Sequence, residues 1–239
     1  MKYRKPVCLL AGGRPRSREM LGSLIQAVLR ENGAASPTVA YMGMANNDDE
    51  GFFNYIADIF REIGACKVEH ASISSDKADL EKAQDILKSA EIVFTSGGDV
   101  DRGMRVLKEK NMIDFLSRLY DKGKLFCGLS AGSIMLSKEW VRWRDPNDDS
   151  TAELFPCLGF APIICDMHGE QDDWQELRVV LNLEKGNVKG YGIVTGGGIK
   201  VFPDGRIEVL GSAIHQYVRH GEIVERSSDI LPVNNTYRD

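Results

Sequence analysis

The sequence predicts an α/β protein with a mostly parallel, doubly wound sheet flanked by helices and short strands at its C-terminal end. One pattern supports this fold class. Up to Ser137, short apolar runs alternate with segments whose apolar residues recur at helical spacing. Strands and helices that alternate in this way form parallel sheets with helices on both faces. Because no Pro-, Gly- or Ser-rich linker divides the chain, we expect one domain over residues 1–239.

The predicted elements follow one another as strand–helix units. In the first unit, residues 6–11 form an apolar run, and Leu21, Leu24, Ile25 and Val28 recur at helical spacing after it. Four more units follow, each a strand and then a helix: 38–43 and 51–63, 66–69 and 76–89, 91–95 and 101–119, 124–127 and 130–137. The first half of the chain therefore predicts five strands and five helices.

The alternation is less regular after Asp145. A strand over 161–165 and a helix over 177–183 form one more unit. Short strands are then predicted over 191–194, 199–202, 206–210 and 213–218, with a turn at Pro203-Asp204-Gly205.

Composition excludes several classes of function. The 239 residues are 43% hydrophobic, and the net charge of −5 arises from acidic and basic residues mixed along the chain. We therefore expect no nucleic-acid partner. No apolar stretch is long enough to cross a membrane, and residues 7–11 are too short for a signal-peptide core, so we expect a soluble cytoplasmic protein.

The cysteines predict neither disulfides nor a metal site. They are odd in number, widely spaced and mostly flanked by apolar residues, which is typical of reduced, buried thiols. The five are Cys8, Cys66, Cys127, Cys157 and Cys165.

The most informative motif is Gly128-Leu129-Ser130-Ala131-Gly132, which lies between a predicted strand and a predicted helix. It matches the G-x-S-x-G nucleophile elbow, in which a sharp turn presents a serine hydroxyl at the start of a helix. The motif predicts Ser130 as a nucleophile. A structural alternative is that Ser130 caps the helix.

A second loop, residues 95–99, also follows a strand and contains Gly97 and Gly98. Backbone N–H groups in such a loop can approach a ligand, so Gly98 and Ala131 are candidates for an oxyanion hole. The alternative is a tight turn that needs positive φ. The loop 12–16 also lies at the start of a predicted helix. It is either a structural loop or a clamp that binds a substrate carboxylate.

A catalytic serine needs a base, and the chain has four histidines. His168 is the best candidate, because it follows the apolar run that ends in Ile164-Cys165 and so lies after a predicted strand. The alternative is a surface or structural histidine.

These segments together resemble peptidase family S51, the serine peptidases that include peptidase E and the cyanophycinases. The resemblance is carried by GLSAGSIML, by IVFTSGGDV before it and by the strand ending in DMH, and it extends from LLAGG to YGIVTGGGIKV. It implies a fold like that of class I glutamine amidotransferases and a hydrolase acting on a small peptide or related amide. It also implies Ser130 as nucleophile, His168 as base, an oxyanion site near Gly98 and Ala131, and no metal or organic cofactor.

The third catalytic member is less well defined. The resemblance implies Asp145, which matches the spacing of an aspartate assigned to the triad in peptidase E; a carboxylate there would orient the imidazole. Asp145 also fits a turn residue before Pro146. Asp166 is another candidate, because residues two apart on a strand share a face.

The sequence departs from its relatives in two places. Thr195 stands where relatives carry a glutamate, and the segment after His168 is acidic and keeps only Arg178 of an arginine-rich stretch. A preference for acidic substrates is therefore not carried over, although Gly97, Asp99 and Arg178 remain candidates for substrate contact.

Two other functions compete with a serine hydrolase. One is a catalytically impaired module that binds a small metabolite or a partner; the other is a cysteine-dependent amidotransferase using Cys127. A homodimer is left open.

Overall fold

The computed structural model describes residues 3–12, 18–65, 67–145 and 148–232, which contain thirteen strands, seven α-helices and two short 3-10 helices. The strands are β1 (Val7–Leu10), β2 (Thr38–Met42), β3 (Lys67–His70), β4 (Ile92–Thr95), β5 (Leu125–Leu129), β6 (Glu139–Trp143), β7 (Ala152–Pro156), β8 (Ile164–Met167), β9 (Val188–Ile193), β10 (Gly198–Val201), β11 (Ile207–Leu210), β12 (His215–His220) and β13 (Ile223–Arg226). The helices are α1 (Arg18–Asn32), α2 (Glu50–Ile63), α3 (Leu80–Ser89), α4 (Val100–Glu109), α5 (Ile113–Asp121), α6 (Ala131–Leu136) and α7 (Gln175–Leu183).

The central sheet has seven strands in the order β11-β10-β1-β5-β4-β2-β3. Five neighbouring strands of this sheet are parallel to one another: β1, β5, β4, β2 and β3. The strands β10 and β11 add an antiparallel edge beside β1. Apolar side chains are buried against helices on both faces of this sheet, in two separate core clusters. The predicted fold class is confirmed.

A second, four-stranded sheet has the order β13-β12-β9-β8, and β6 and β7 form a separate antiparallel hairpin. The sequence predicts late strands after the main alternation but not their partners. In the structure, β10 and β11 join the central sheet, whereas β12 pairs with β9. The hairpin and β13 were missed.

The helices form where apolar periodicity and capping residues coincide. In α2, Ile56, Ala57, Ile59 and Phe60 are buried on one face, the Asp49 side chain accepts a hydrogen bond from the Phe52 N–H, and Gly64 ends the helix at φ 121°.

The helix predicted over 101–119 is two helices, α4 and α5. The break falls at Asn111, whose φ of 55° is left-handed. Asparagine tolerates this conformation better than most residues, and here it allows the next residue, Met112, to enter the core. Among the described residues, no helix is long and apolar enough to cross a bilayer.

Parallel pairing brings the loops after the strands together at one edge of the central sheet. Leu10 of β1 lies opposite Leu129 of β5, and Thr95 of β4 lies opposite Gly128. In the second sheet, Met167 of β8 lies opposite Ile193 of β9, so the residues after both strands are neighbours.

Candidate active site

Ser130 lies in the turn between β5 and α6, with φ 52° and ψ −122°. Few residues with a side chain adopt positive φ, and where they do the surrounding structure must hold them. The Ser130 N–H donates to the Leu10 carbonyl at 2.8 Å. The Ser130 side chain makes no capping hydrogen bond to α6. The helix-cap alternative is therefore not supported.

The glycines of the motif are required by close backbone packing. A Cβ on Gly128 would lie 2.5 Å from the Ser133 nitrogen, and one on Gly132 would lie 2.2 Å from the Thr95 carbonyl oxygen. The Thr95 hydroxyl donates to the Gly132 carbonyl at 3.1 Å. These contacts fasten the Ser130 turn to the end of β4.

The loop that contains Gly97 and Gly98 lies against Ser130. An added Cβ on Gly97 would be 3.3 Å from the Ser130 Cβ. Gly98 has φ 145°, and a Cβ there would lie 2.2 Å from the Ala45 carbonyl oxygen. The tight-turn interpretation and the ligand-approach interpretation are thus compatible. Ala131 is the first residue of α6, where backbone N–H groups lack an acceptor within the helix.

His168 follows β8, and its φ of 64° turns the chain sharply. The ring is half-buried, and its Nδ1 lies 3.1 Å from the Thr195 Oγ1. Burial lowers the pKa of His168, and the negative charge of Glu170 partly offsets this. The imidazole is therefore neutral at pH 7, as a general base must be.

Ser130 and His168 both line a cavity of about 1100 Å³, together with Gly97, Gly98, Thr195 and Glu170. Part of its wall is apolar and is formed by Met20, Phe52 and Leu129. In the described part of the chain, no hydrogen bond joins the Ser130 hydroxyl to the His168 ring. Catalytic hydrogen bonds often tighten only when substrate binds.

Two carboxylates suggested as supports for His168 lie elsewhere. Asp145 is exposed in the β6–β7 connection, where its backbone is hydrogen-bonded to the Thr151 side chain, and it does not line the cavity. Asp166 is buried on β8, and its carboxylate accepts a hydrogen bond from the Met167 N–H. Asp166 and His168 do not share a face of the strand, because β8 ends at Met167.

Two candidates for substrate contact have other partners. The Asp99 carboxylate caps α4 by accepting the Arg102 N–H at 2.7 Å. Arg178, on the exposed side of α7, donates to Asp173 at 2.6 Å and does not line the cavity. Residues 13–17 are outside the described residues, so the proposed clamp over 12–16 is described only at Gly12, which lines the cavity.

Glu170 is not among the residues predicted from the sequence, and its carboxylate accepts a hydrogen bond from the Thr195 N–H. Nothing in the acidic run after His168 distinguishes this residue from its neighbours, because its partner is 25 residues away. Thr195 was noted as a departure from relatives, but its contact with His168 was not predicted.

The structure also describes the cysteines and the side chains that could bind a metal. Cys8, Cys127 and Cys165 are buried free thiols and Cys157 is a half-buried one, whereas Cys66 is outside the described residues. Burial raises the pKa of the Cys127 thiol well above its usual range. Within the described ranges, no group of three or more His, Cys, Asp or Glu side chains is placed to hold a metal ion.

Comparisons with known proteins show the family through the sequence and the fold through solved structures. The sequence model of Peptidase family S51 matches residues 7–207. The crystal structure of a peptidase from an acI-B1 Actinobacterium is similar, with a TM-score of 0.68, 16% identity, and coverage of 95% of this chain and 97% of that one. A protein described as a peptidase E from Listeria monocytogenes EGD-e has a TM-score of 0.61 and 16% identity, covering 95% of this chain and 100% of its own. No curated protein matches significantly.

Proposed function

The chain belongs to peptidase family S51 and is a serine-type peptidase, and from this premise we propose that it cleaves a small peptide or related amide through Ser130 and His168. The observation that carries the proposal is the strained backbone of Ser130, at φ 52°, in one cavity with His168 and Gly98. Strained backbone of this kind is concentrated at active sites, where the surrounding structure holds it.

In the proposed reaction, the Ser130 Oγ attacks the carbonyl carbon while the Nε2 of His168 accepts the hydroxyl proton. The N–H groups of Gly98 and Ala131 stabilise the resulting oxyanion. When the tetrahedral intermediate collapses, the C–N bond breaks and the imidazolium protonates the leaving amine. Water, deprotonated by the same imidazole, then hydrolyses the acyl-enzyme and regenerates Ser130.

The cavity supports a small substrate without indicating an acidic one. Met20 and Phe52 offer an apolar surface, and the described lining carries the carboxylates of Asp49 and Glu170 but no lysine or arginine. Since Arg178 lies outside the cavity, it does not support recognition of an acidic side chain. Gly97 stays a proposed substrate contact because it lies beside Ser130.

Treatment with a small fluorophosphonate, followed by peptide mass mapping, tests the proposal. We expect covalent labelling at Ser130 in the wild type and none in Ser130→Ala. In His168→Ala the rate of labelling should fall at least a hundredfold, because general-base catalysis contributes about 10²–10⁴. Melting temperatures of both variants close to that of the wild type would show that the fold is retained.

Two controls separate the competing functions. Insensitivity of the hydrolytic activity to thiol alkylation would exclude the cysteine-dependent amidotransferase. A folded wild type that remains unlabelled by probes small enough to enter the cavity would contradict the serine hydrolase and favour a binding module.

A further inference from the structure

The Nδ1 atom of His168 contacts a neutral group, the hydroxyl of Thr195. The Thr195 Oγ1 lies 3.1 Å from Nδ1. A hydroxyl can accept the Nδ1 proton and so hold the tautomer in which Nε2 is free to act as a base. Without a negative charge behind it, however, a hydroxyl stabilises an imidazolium less than a carboxylate does. The site would therefore benefit from a carboxylate that acts through Thr195.

Glu170 is bound to Thr195. The Thr195 N–H donates to the Glu170 Oε1. Burial raises the pKa of the Glu170 carboxyl, but hydrogen bonds from the backbone and hydroxyl of Thr195, together with the charge of His168, outweigh this and lower it. Glu170 is therefore ionised at neutral pH, and its charge lies next to the hydroxyl that faces His168.

A rigid turn places Glu170 there. The Gly169 carbonyl accepts the Trp174 N–H at 2.8 Å, and a Cβ on Gly169 would lie 2.7 Å from the Trp174 ring. The buried Trp174 thus packs directly on the residue between His168 and Glu170. On the other side, the His168 N–H donates to the Ile193 carbonyl at 3.2 Å, which holds this turn beside Thr195.

We propose that Glu170 is a positioning residue that acts through Thr195, supplying the negative charge that orients His168 and stabilises its protonated form. This inference rests on the proposed function. In the proposed arrangement the His168 Nδ1–H donates to the Thr195 Oγ1, and the Thr195 N–H donates to the Glu170 carboxylate. The Thr195 hydroxyl would direct its own proton to the same carboxylate. Glu170 does not touch the substrate in this arrangement.

The two carboxylates that the sequence offered as supports for His168 do not compete for the role. Asp145 is outside the cavity, and Asp166 faces the core under α7. Among the described charged groups, Glu170 is the one whose charge raises the pKa of His168.

The test compares second-order rate constants for fluorophosphonate labelling of Ser130 in matched variants. Glu170→Gln removes the charge but keeps an oxygen that accepts the Thr195 N–H. Thr195→Val removes the hydroxyl, whereas Thr195→Ser keeps it. We expect labelling to fall about ten- to hundredfold in Glu170→Gln and Thr195→Val, the range found when the hydrogen-bond partner behind a metal-ligating side chain is removed. Thr195→Ser keeps the hydroxyl and should label faster than Thr195→Val. Glu222→Gln, which removes an exposed charge in the β12–β13 turn, is the control and should label like the wild type.

Two further readouts distinguish positioning from a structural role. The pKa of His168, followed by NMR, should fall in Glu170→Gln, because a stabilising negative charge is lost. In the double variant Glu170→Gln/Thr195→Glu, a carboxylate at 195 can contact the ring directly, so labelling should recover.

Wild-type-like labelling and an unchanged His168 pKa in Glu170→Gln would overturn the inference while leaving the proposed function intact. Absence of labelling in the wild type would instead overturn both.

Discussion

At the scale of single residues, the site depends on backbone positions that tolerate little change. Ser130 is held at positive φ by the Leu10 carbonyl on one side and by α6 on the other, since the Ser133 N–H donates to the Ser130 carbonyl at 2.8 Å. The Ser133 hydroxyl is also hydrogen-bonded to the Leu10 backbone, which joins α6 to β1. Several contacts together therefore offset the strain at Ser130.

Gly98→Ala should damage both stability and the site. Its Cβ would meet the Ala45 carbonyl 2.2 Å away, and neither backbone can move without disturbing the loop beside Ser130. We expect a loss of about 2–5 kcal/mol in unfolding free energy, combining about 1–2 for unfavourable φ with about 1–3 for overpacking. Urea unfolding and fluorophosphonate labelling would measure the two effects.

Gly205→Ala is the matched control for that change. Gly205 also has positive φ, at 84°, but no atom lies within 4 Å of its added Cβ. Gly205→Ala should lose only the part of the unfolding free energy that comes from the unfavourable φ, about 1–2 kcal/mol. Equal losses in the two variants would show that the contact with Ala45 does not constrain the loop.

At the scale of elements, the loop after β2 is anchored by one carboxylate. Asp48 accepts hydrogen bonds from the Ser72 hydroxyl and from the N–H groups of Ile73 and Ser74, at 2.7–2.8 Å. This ties the loop that contains Ala45, the neighbour of Gly98, to the segment after β3. Two consecutive strand ends are thereby held as one unit beside the cavity.

Asp48→Asn should destabilise the protein at neutral pH by about 2–4 kcal/mol, because hydrogen bonds to a charged group are worth about 1.5–3 each and several are weakened. Burial raises the pKa of Asp48, but its hydrogen bonds with His70, Ser72 and Ser74 outweigh burial and lower the pKa well below its ordinary value. The stabilisation is therefore complete above the unfolded-state pKa and is lost as pH falls through the folded-state pKa.

Unfolding free energies of the wild type and Asp48→Asn at pH 7, 5 and 3 would test this. The difference between the two proteins should shrink below about pH 4, near the ordinary pKa of aspartate. A difference that stays constant down to pH 3 would contradict the assignment.

At the scale of the whole molecule, β8 connects two hydrophobic cores. Its side chains alternate, so that Cys165 and Met167 face the main core, whereas Ile164 packs with Trp174 and Leu177 beneath α7. Asp166 is on the same face as Ile164 and is buried there. Burial and, after it, the charge of Glu176 raise the pKa of Asp166 to about 7.

Asp166→Asn should therefore change how stability depends on pH. A carboxyl whose pKa is raised in the folded state stabilises the protein fully below its unfolded pKa, and this contribution is lost as pH rises through about 7. At most about 4 kcal/mol is involved, at 1.36 kcal/mol per pKa unit. The asparagine keeps an acceptor for the Met167 N–H and should remove this decline.

Urea unfolding at pH 4.5, 6 and 8 would detect the effect, with Asp114→Asn, an exposed position on α5, as the control for a lost charge. Parallel pH profiles of the wild type and Asp166→Asn would show that Asp166 does not titrate in this range.

A homodimer stays a prediction, which size-exclusion chromatography with light scattering would test.

The amino-acid sequence alone was sufficient for the fold class, for the order of strands and helices up to α6 apart from the division between α4 and α5, and for the position of the Ser130 turn. These features depend on local signals: apolar periodicity over one element, and glycines at positions where a Cβ would clash. The predicted helix over 101–119 shows the limit, because the break at Asn111 depends on the burial of Met112.

Only the tertiary structure decided which sheet each late strand joins and which groups contact His168. Thr195 and Glu170 meet because β8 and β9 pair in parallel and the chain turns at His168, and neither event has a local signature. Asp145 was a candidate because its spacing from Ser130 matches that of the triad aspartate in peptidase E. Spacing along the chain does not determine the distance to His168, because the chain around Asp145 folds back as the β6–β7 hairpin. Local energies select elements, whereas contacts between distant segments depend on how those elements pack.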